Sequence, residues 1–265
     1  QALFASDLSQ STPPCLGPAM LSTRRTIVRR VGVAVFAARG RAAILGHKRW
    51  QGTAPQRDAG LGKNAGTSSA VNEQVYNSWG GDQYDRDVRS WGYDAPEKVT
   101  ALLCEAMGQV RGSVLDAGVG TGLQGPSLVA SGFGPLTGID ISDELLAKAG
   151  TTGCYATLSR ADMNAPLGFP DGSFDGLVCV GVLTYIDASN KPNLLSEFCR
   201  VVKPGGGIAF TSRNDLAAPW EQAAEELVAA GKWRLIRKTE PMPYLPGKAE
   251  YGDRFLVIAW SYVVQ

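Results

Sequence analysis

Val114-Leu-Asp-Ala-Gly-Val-Gly-Thr-Gly122 decides how this chain is read. It opens as an apolar run, closes that run on a carboxylate, Asp116, and then places glycines at 118, 120 and 122. Glycine reaches positive φ at little cost, and its missing Cβ lets a ligand approach the main chain. The spacing predicts a strand over 113–116, a tight turn, and a helix over 122–130 whose first amides face a negative group. Leu136-Thr-Gly-Ile-Asp140 then reads as the end of a second strand, over 135–140, again closed by a carboxylate. An acid at that point can accept both hydroxyls of a ribose lying across the first two strands, the switch-point arrangement of doubly wound sheets.

The same alternation extends in both directions. Before the motif, Asp94-Ala-Pro-Glu97 starts a helix over 95–107, with Val99, Leu102, Leu103 and Met107 on one face and Gly108 after it. Beyond the motif, helices are predicted over 143–149 (behind Ser142 as cap), 193–202 and 216–230, and strands over 154–158, 174–180 and 206–211. Strands that are apolar throughout, alternating with helices, imply a parallel sheet covered on both faces. Two final strands, 233–238 and 254–263, are joined by a Pro-rich loop with no helix between them, and read as a hairpin-like pair.

A dinucleotide site shares part of this pattern, and three features separate the two. The glycines follow Gly-x-Gly-x-Gly, not Gly-x-Gly-x-x-Gly. Asp116 stands before the first glycine, where a carboxylate suits an ammonium group and would repel a pyrophosphate. Asp162-Met163 closes the third strand and offers an acceptor where an adenine amino group would lie.

At this point the sequence resembles the class I S-adenosylmethionine-dependent methyltransferases. Asp-Ala-Gly-Val-Gly-Thr-Gly122 is similar to the family's first motif and Gly-Ile-Asp-Ile-Ser142 to its second. Ala161-Asp-Met-Asn-Ala-Pro-Leu-Gly-Phe-Pro-Asp-Gly-Ser-Phe-Asp175 resembles the segment between its third and fourth strands, and Arg200-Val-Val-Lys-Pro-Gly-Gly206 the turn before its fifth. The resemblance implies a Rossmann-like doubly wound α/β sheet of seven strands, the last antiparallel. It implies that Asp116, Gly118, Gly120 and Gly122 hold the methionine part of S-adenosylmethionine. Asp140 would take the ribose, Ile141 pack on adenine, and Asp162 and Met163 read the adenine edge, while Val180 and Gly181 line the route to the sulfonium. The segment Tyr84-Asp-Arg-Asp-Val-Arg-Ser-Trp-Gly-Tyr93 further resembles a methyltransferase-like subgroup close to the Williams–Beuren-region protein, which makes Tyr84 the aromatic that closes over the cofactor.

Several of these residues also have plain structural readings. Asp162 suits any strand-ending turn and Asp116 could cap the one that follows it. Tyr76, Tyr84, Trp91 and Tyr93 could be a packed aromatic cluster. Tyr185 and Asp187 follow the fourth strand, where an acceptor would arrive, and are candidate bases together with Tyr84; a surface turn is the equal alternative.

Composition sets the outer limits. Residues 1–70 hold ten Lys/Arg against two Asp, a net charge of +8; the remaining 16 basic and 23 acidic residues give −7. Residues 20–49 are rich in Arg and Ala and contain no acid, the composition of an organellar targeting peptide. This predicts a leader and linker over 1–70 and a methyltransferase domain over 71–265, with a mitochondrial address ahead of a plastid one; without such a leader the expectation is cytoplasmic. No apolar run is long enough to span a membrane. Five cysteines without CxxC spacing predict neither a disulfide framework nor a metal site.

The only histidine, His47, falls in the leader, which removes His-based catalysis from the domain. The acidic domain disfavours nucleic acid, and Val180-Gly-Val-Leu-Thr184 stands where enzymes acting on nucleobase or glutamine amines carry Asn/Asp-Pro-Pro-Tyr/Phe. A small-molecule acceptor is the leading expectation and a protein side chain the next. Two other classes remain open: a non-catalytic methyltransferase-like accessory subunit of an organellar complex, and an NAD(P)-linked reductase. The latter's Tyr-x-x-x-Lys pair occurs only as Tyr244 and Lys248, interrupted by Pro246 and Gly247.

Overall fold

The computed structural model describes residues 69–248 and 255–265, all within a unit spanning Gly52–Gln265. The basic stretch, and His47 with it, lies outside the described residues. Two helices come first, α1 (Ser69–Trp79) and α2 (Gly81–Ser90), followed by α3 (Ala95–Met107). Then strands and helices alternate: β1 (Val114–Ala117), α4 (Gly125–Ala130), β2 (Leu136–Asp140), α5 (Asp143–Gly150), β3 (Tyr155–Arg160) and β4 (Phe174–Cys179). The chain closes with α6 (Lys191–Val201), β5 (Val202–Arg213), α7 (Ala218–Ala229), β6 (Trp233–Lys238), β7 (Met242–Pro243) and β8 (Leu256–Val264).

The sheet runs in the order β3-β2-β1-β4-β5-β8-β6. Its first five strands are parallel, and β8 runs antiparallel to both β5 and β6. This is the Rossmann-like α/β sheet expected from the sequence, with the antiparallel strand at its end. An eighth strand, the two residues of β7, pairs with β8 inside the loop that had no predicted structure. All four residues of β1 are buried, because helices cover both faces of the sheet centre. The outer strands β3 and β6 are only partly covered, and there polar residues interrupt the apolar run.

Each face has its own core. Leu194, Leu195, Phe198 and Trp220 from α6 and α7 pack on one side with Phe210, Trp233 and Trp260. On the other, Val99, Leu103 and Leu128 pack against Val114, Leu136 and Val178. A stacked set, Phe210, Trp233, Trp260 and Tyr262, fills the antiparallel end, with Trp233 and Tyr262 centroids 4.0 Å apart.

Local chemistry moves several boundaries. The helix expected over 122–130 begins only at Gly125, since Gly120 and Gly122 sit at φ 54° and 86°, outside the helical region. Asp94 makes no capping bond; its carboxylate pairs with Lys98 at 3.0 Å instead. Ser142 caps as predicted, its Oγ accepting from Leu145 N at 3.1 Å. The Lys203-Pro-Gly-Gly turn lies within β5, where the register to β4 shifts between Phe174 and Gly176.

Candidate functional site

The two carboxylates that end β1 and β2 define the floor. Asp116 is 1% exposed, and its Oδ2 accepts the Tyr155 hydroxyl at 2.6 Å. Burial raises its pKa to about 7, against the opposing pull of that hydrogen bond. Asp140 is also buried; its Oδ1 accepts from Ser142 N at 3.0 Å and its Oδ2 from Gly120 N at 2.9 Å. Burial pushes the Asp140 pKa up while these amides resist the shift. A carboxylate offers about four acceptor positions, so both acids keep capacity for a ligand.

The glycine turn between them is a cradle. At Gly118, φ is +82° and an added Cβ would lie 2.3 Å from Val182 Cγ2. At Gly120 an added Cβ would meet nothing within 4 Å and would project into the cleft. The amides of this turn are taken up within the fold. Gly118 N and Val119 N donate to Ile139 O at 2.8 and 2.9 Å, and Gly120 N is held by Asp140.

Two cavities meet at this turn. The larger, about 740 Å³, is lined by Tyr84, Gly118, Gly120, Asp140, Ile141, Asp162, Met163, Val180 and Tyr185 among others. The smaller, about 360 Å³, is lined by Asp116, Tyr84, Gly118, Gly120, Val180 and Gln124. Nearly all the residues singled out from the sequence are thus brought together, divided between an Asp140 side and an Asp116 side. Gly122 and Asp187 line neither cavity. Gly122 packs instead beneath Thr152, Ala149 and Tyr155, where a Cβ would come within 3.2 Å of each. Asp187 is exposed and caps a 3-10 turn, accepting from the Ser189 hydroxyl at 2.5 Å and from Ser189 N at 2.7 Å; these bonds lower its pKa. Asp162 sits on the cleft wall while its Oδ1 accepts from Asn164 N at 2.9 Å, so the turn role and the lining role coexist.

The roof comes from α1 and α2. Ser69, Asn72, Tyr76 and Tyr84 face the larger cavity. Tyr76 stands edge-on to both Tyr84 and Tyr185, with centroids 6.1 and 5.7 Å apart. Burial drives the phenol pKa values of Tyr76 and Tyr84 well above the usual range, so both hydroxyls stay protonated. Polar ties fasten these helices to the sheet: Glu73 to Arg160 at 2.8 and 2.9 Å, Asp82 to Lys148 at 2.5 Å, Asp85 to Thr121 at 2.5 Å, and Asn77 to Ser142.

Sequence reasoning missed Asn164 and Gln124, and weighed Tyr244 only as half of the reductase-like pair. Asn164 links Ser69, Asp162 and the Asp187 amide, and lies in the Asp-Met-Asn run directly after the predicted contact. Gln124 is buried, and its Nε2 donates to Pro96 O at 3.0 Å and Thr100 Oγ1 at 2.6 Å, leaving Oε1 without a partner. Nothing in its local sequence pattern distinguishes Gln124. Among the described residues no group of His, Cys, Asp and Glu is placed to hold a metal ion, and no helix is long and apolar enough to cross a membrane.

Fold and site together define a Rossmann-like α/β domain with two buried acids flanking a glycine turn, and the comparisons report what it is similar to. Residues 114–206 match the family model for a methyltransferase domain. Magnesium protoporphyrin IX methyltransferase from Synechocystis PCC 6803, solved with bound S-adenosylhomocysteine, is 17% identical; the match covers 75% of this chain and all of that one, with a TM-score of 0.57. A TehB-like S-adenosylmethionine-dependent methyltransferase from Corynebacterium glutamicum is 19% identical over 74% of this chain and all of that one, TM-score 0.54. One from Mesorhizobium loti is 20% identical over 64% and 98%, TM-score 0.51. No curated protein matches the sequence.

Proposed function

We propose that the protein is an S-adenosylmethionine-dependent methyltransferase acting on a small-molecule acceptor. The observation that carries this reading is the pair of buried acids, Asp116 and Asp140, on either side of the Gly118–Gly120 turn whose amides are already occupied. Acceptors without free donors suit an ammonium group and a ribose, and a pyrophosphate would meet two carboxylates. Lys248, half of the reductase-like pair, lies over the Trp91 ring at 4.1 Å.

S-adenosylmethionine, when bound, supplies a methyl group already activated by its sulfonium. The protein's work is then to bind, align and exclude water. Asp116 pairs with the ammonium, Asp140 with the ribose hydroxyls, and Ile141, Asp162 and Met163 form the adenine wall. Tyr84 closes the site above Gly118. The acidic domain charge and an enclosed cleft favour a small acceptor over nucleic acid. The basic leader, on the same proposal, carries the enzyme to an organelle, which N-terminal sequencing of the mature protein tests.

Titration calorimetry with S-adenosylhomocysteine and a labelled-methyl transfer assay on cell extract test the function. Binding at one site and label in a low-mass product are expected. No binding overturns the cofactor assignment; binding without transfer to any molecule points to an accessory subunit.

A further inference from the structure

A third cavity, about 460 Å³, adjoins the cleft and shares Gly181 and Tyr185 with it. Its walls are Tyr185, Tyr244, Phe255, Leu245 and Val257, with Thr184, Thr211, Ser212 and Arg213 as polar members. Arg213 is bridged to Asp215 through Nε (3.0 Å) and Nη2 (2.6 Å) and lies over the Phe255 ring at 4.7 Å, so its charge is compensated locally. A cavity with aromatic and branched walls on one part and hydroxyls on another takes a flat ring that carries a polar group.

Two phenols converge where this cavity meets the cleft. A Cβ at Gly181 would lie 2.8 Å from Tyr244 Oη and 3.5 Å from Tyr93 Oη. The rings of Tyr93 and Tyr244 stand edge to face with centroids 5.2 Å apart. Tyr93 and Tyr244 share a side-chain hydrogen bond, and burial raises both phenol pKa values, so both hydroxyls stay protonated. Two phenols joined by one hydrogen bond have one proton to spare, which the pair can give to a ligand.

We infer that this cavity binds a ring-bearing phenol or aromatic carboxylic acid, and that Tyr244, held by Tyr93, presents the acceptor's ionised oxygen to the methyl group. The inference rests on the methyl-transfer reading above. A hydroxyl that donates to the acceptor atom occupies one lone pair. Attack needs another, which an oxygen anion has and a neutral amine nitrogen lacks. In the transfer, an oxygen lone pair forms the bond to the methyl carbon while the carbon–sulfur bond breaks and its electron pair returns to sulfur. A carboxylate or phenolate has no proton to shed in that step; a phenol loses its proton to solvent beforehand.

The test is labelled-methyl transfer by the full chain to a panel of benzoates, cinnamates and catechols, beside anilines and benzylamines. Methyl esters or ethers are expected. Tyr244→Phe should lower kcat/KM roughly 10- to 100-fold, as for loss of a hydrogen bond to a charged group, and leave S-adenosylhomocysteine affinity unchanged. Tyr93→Phe should give a smaller drop of the same kind, which guards against a folding defect in the first variant. Methylation at nitrogen, an unchanged rate in Tyr244→Phe, or no transfer to any phenol or carboxylate overturns the inference while the cofactor reading stands. Loss of S-adenosylhomocysteine binding in the unmodified protein overturns both.

Discussion

Asp116 and Asp140 lie in strands buried on both sides of the sheet, whereas the half-buried Tyr76 and Tyr84 hang from helices of which only Asn72 and Val88 are fully buried. The floor is fixed by apolar packing and main-chain hydrogen bonds, which salt does not weaken. The roof is fastened by side-chain ties, some between surface charges such as Asp82 with Lys148 and some onto buried Thr121 and Ser142. Exposed ion pairs contribute little each and are screened by salt.

The comparison can be broken first at Asp140. Asp140→Ala removes the ribose acceptor and leaves Gly120 N and Ser142 N unpaired, so S-adenosylhomocysteine affinity should fall roughly 100-fold by calorimetry. Gly118→Ala comes next: with φ at +82° and Val182 in the way, a loss of about 1–3 kcal/mol is expected in urea unfolding, with weakened ligand binding. An unchanged midpoint would show that the turn relaxes freely.

The third effect is a pH dependence. Binding the ammonium needs Asp116 ionised, and its pKa in the free protein is about 7. Affinity should therefore fall roughly tenfold from pH 8 to pH 6, and Asp116→Asn should flatten the profile at a low level. The sign for stability is opposite. A raised pKa stabilises the free protein at low pH, and that contribution is lost as pH rises through about 7. Tyr155→Phe removes the hydrogen bond that favours the charged form, so it should move the window upward.

The smallest effect belongs to the roof. Arg160→Ala cuts the ties to Glu73 and Asp143. It should change ligand affinity by no more than about threefold while raising hydrogen exchange in 69–90 and leaving β1 and β2 protected. High salt should act likewise. Equal exchange in both regions would remove the distinction.

The floor was legible in the sequence because its chemistry is written in consecutive residues. Gly-x-Gly-x-Gly after Asp116, and Asp140 at the end of the next strand, state a turn and two acids without reference to distant contacts. The limits of α3 and β6 were equally plain from apolar period and punctuation. The occupied amides of the turn were not, because Ile139 O and Asp140 reach them only once β2 lies beside β1. Asp187 looked close to the acceptor by its place after β4, yet the 3-10 turn directs its carboxylate to Ser189. Gly122 shares the motif's spacing but faces α5. Tyr244 sits more than a hundred residues from the motif, and only the antiparallel return of β8, with β7 beside it, carries it to Gly181.

Titration of the full-length protein with S-adenosylhomocysteine, repeated on Asp140→Ala and set beside NADH, tests the central claim most directly. The account predicts one site for S-adenosylhomocysteine, strongly weakened by the substitution, and no saturable binding of NADH. Absence of S-adenosylhomocysteine binding, or NADH binding that depends on Asp140, would contradict it.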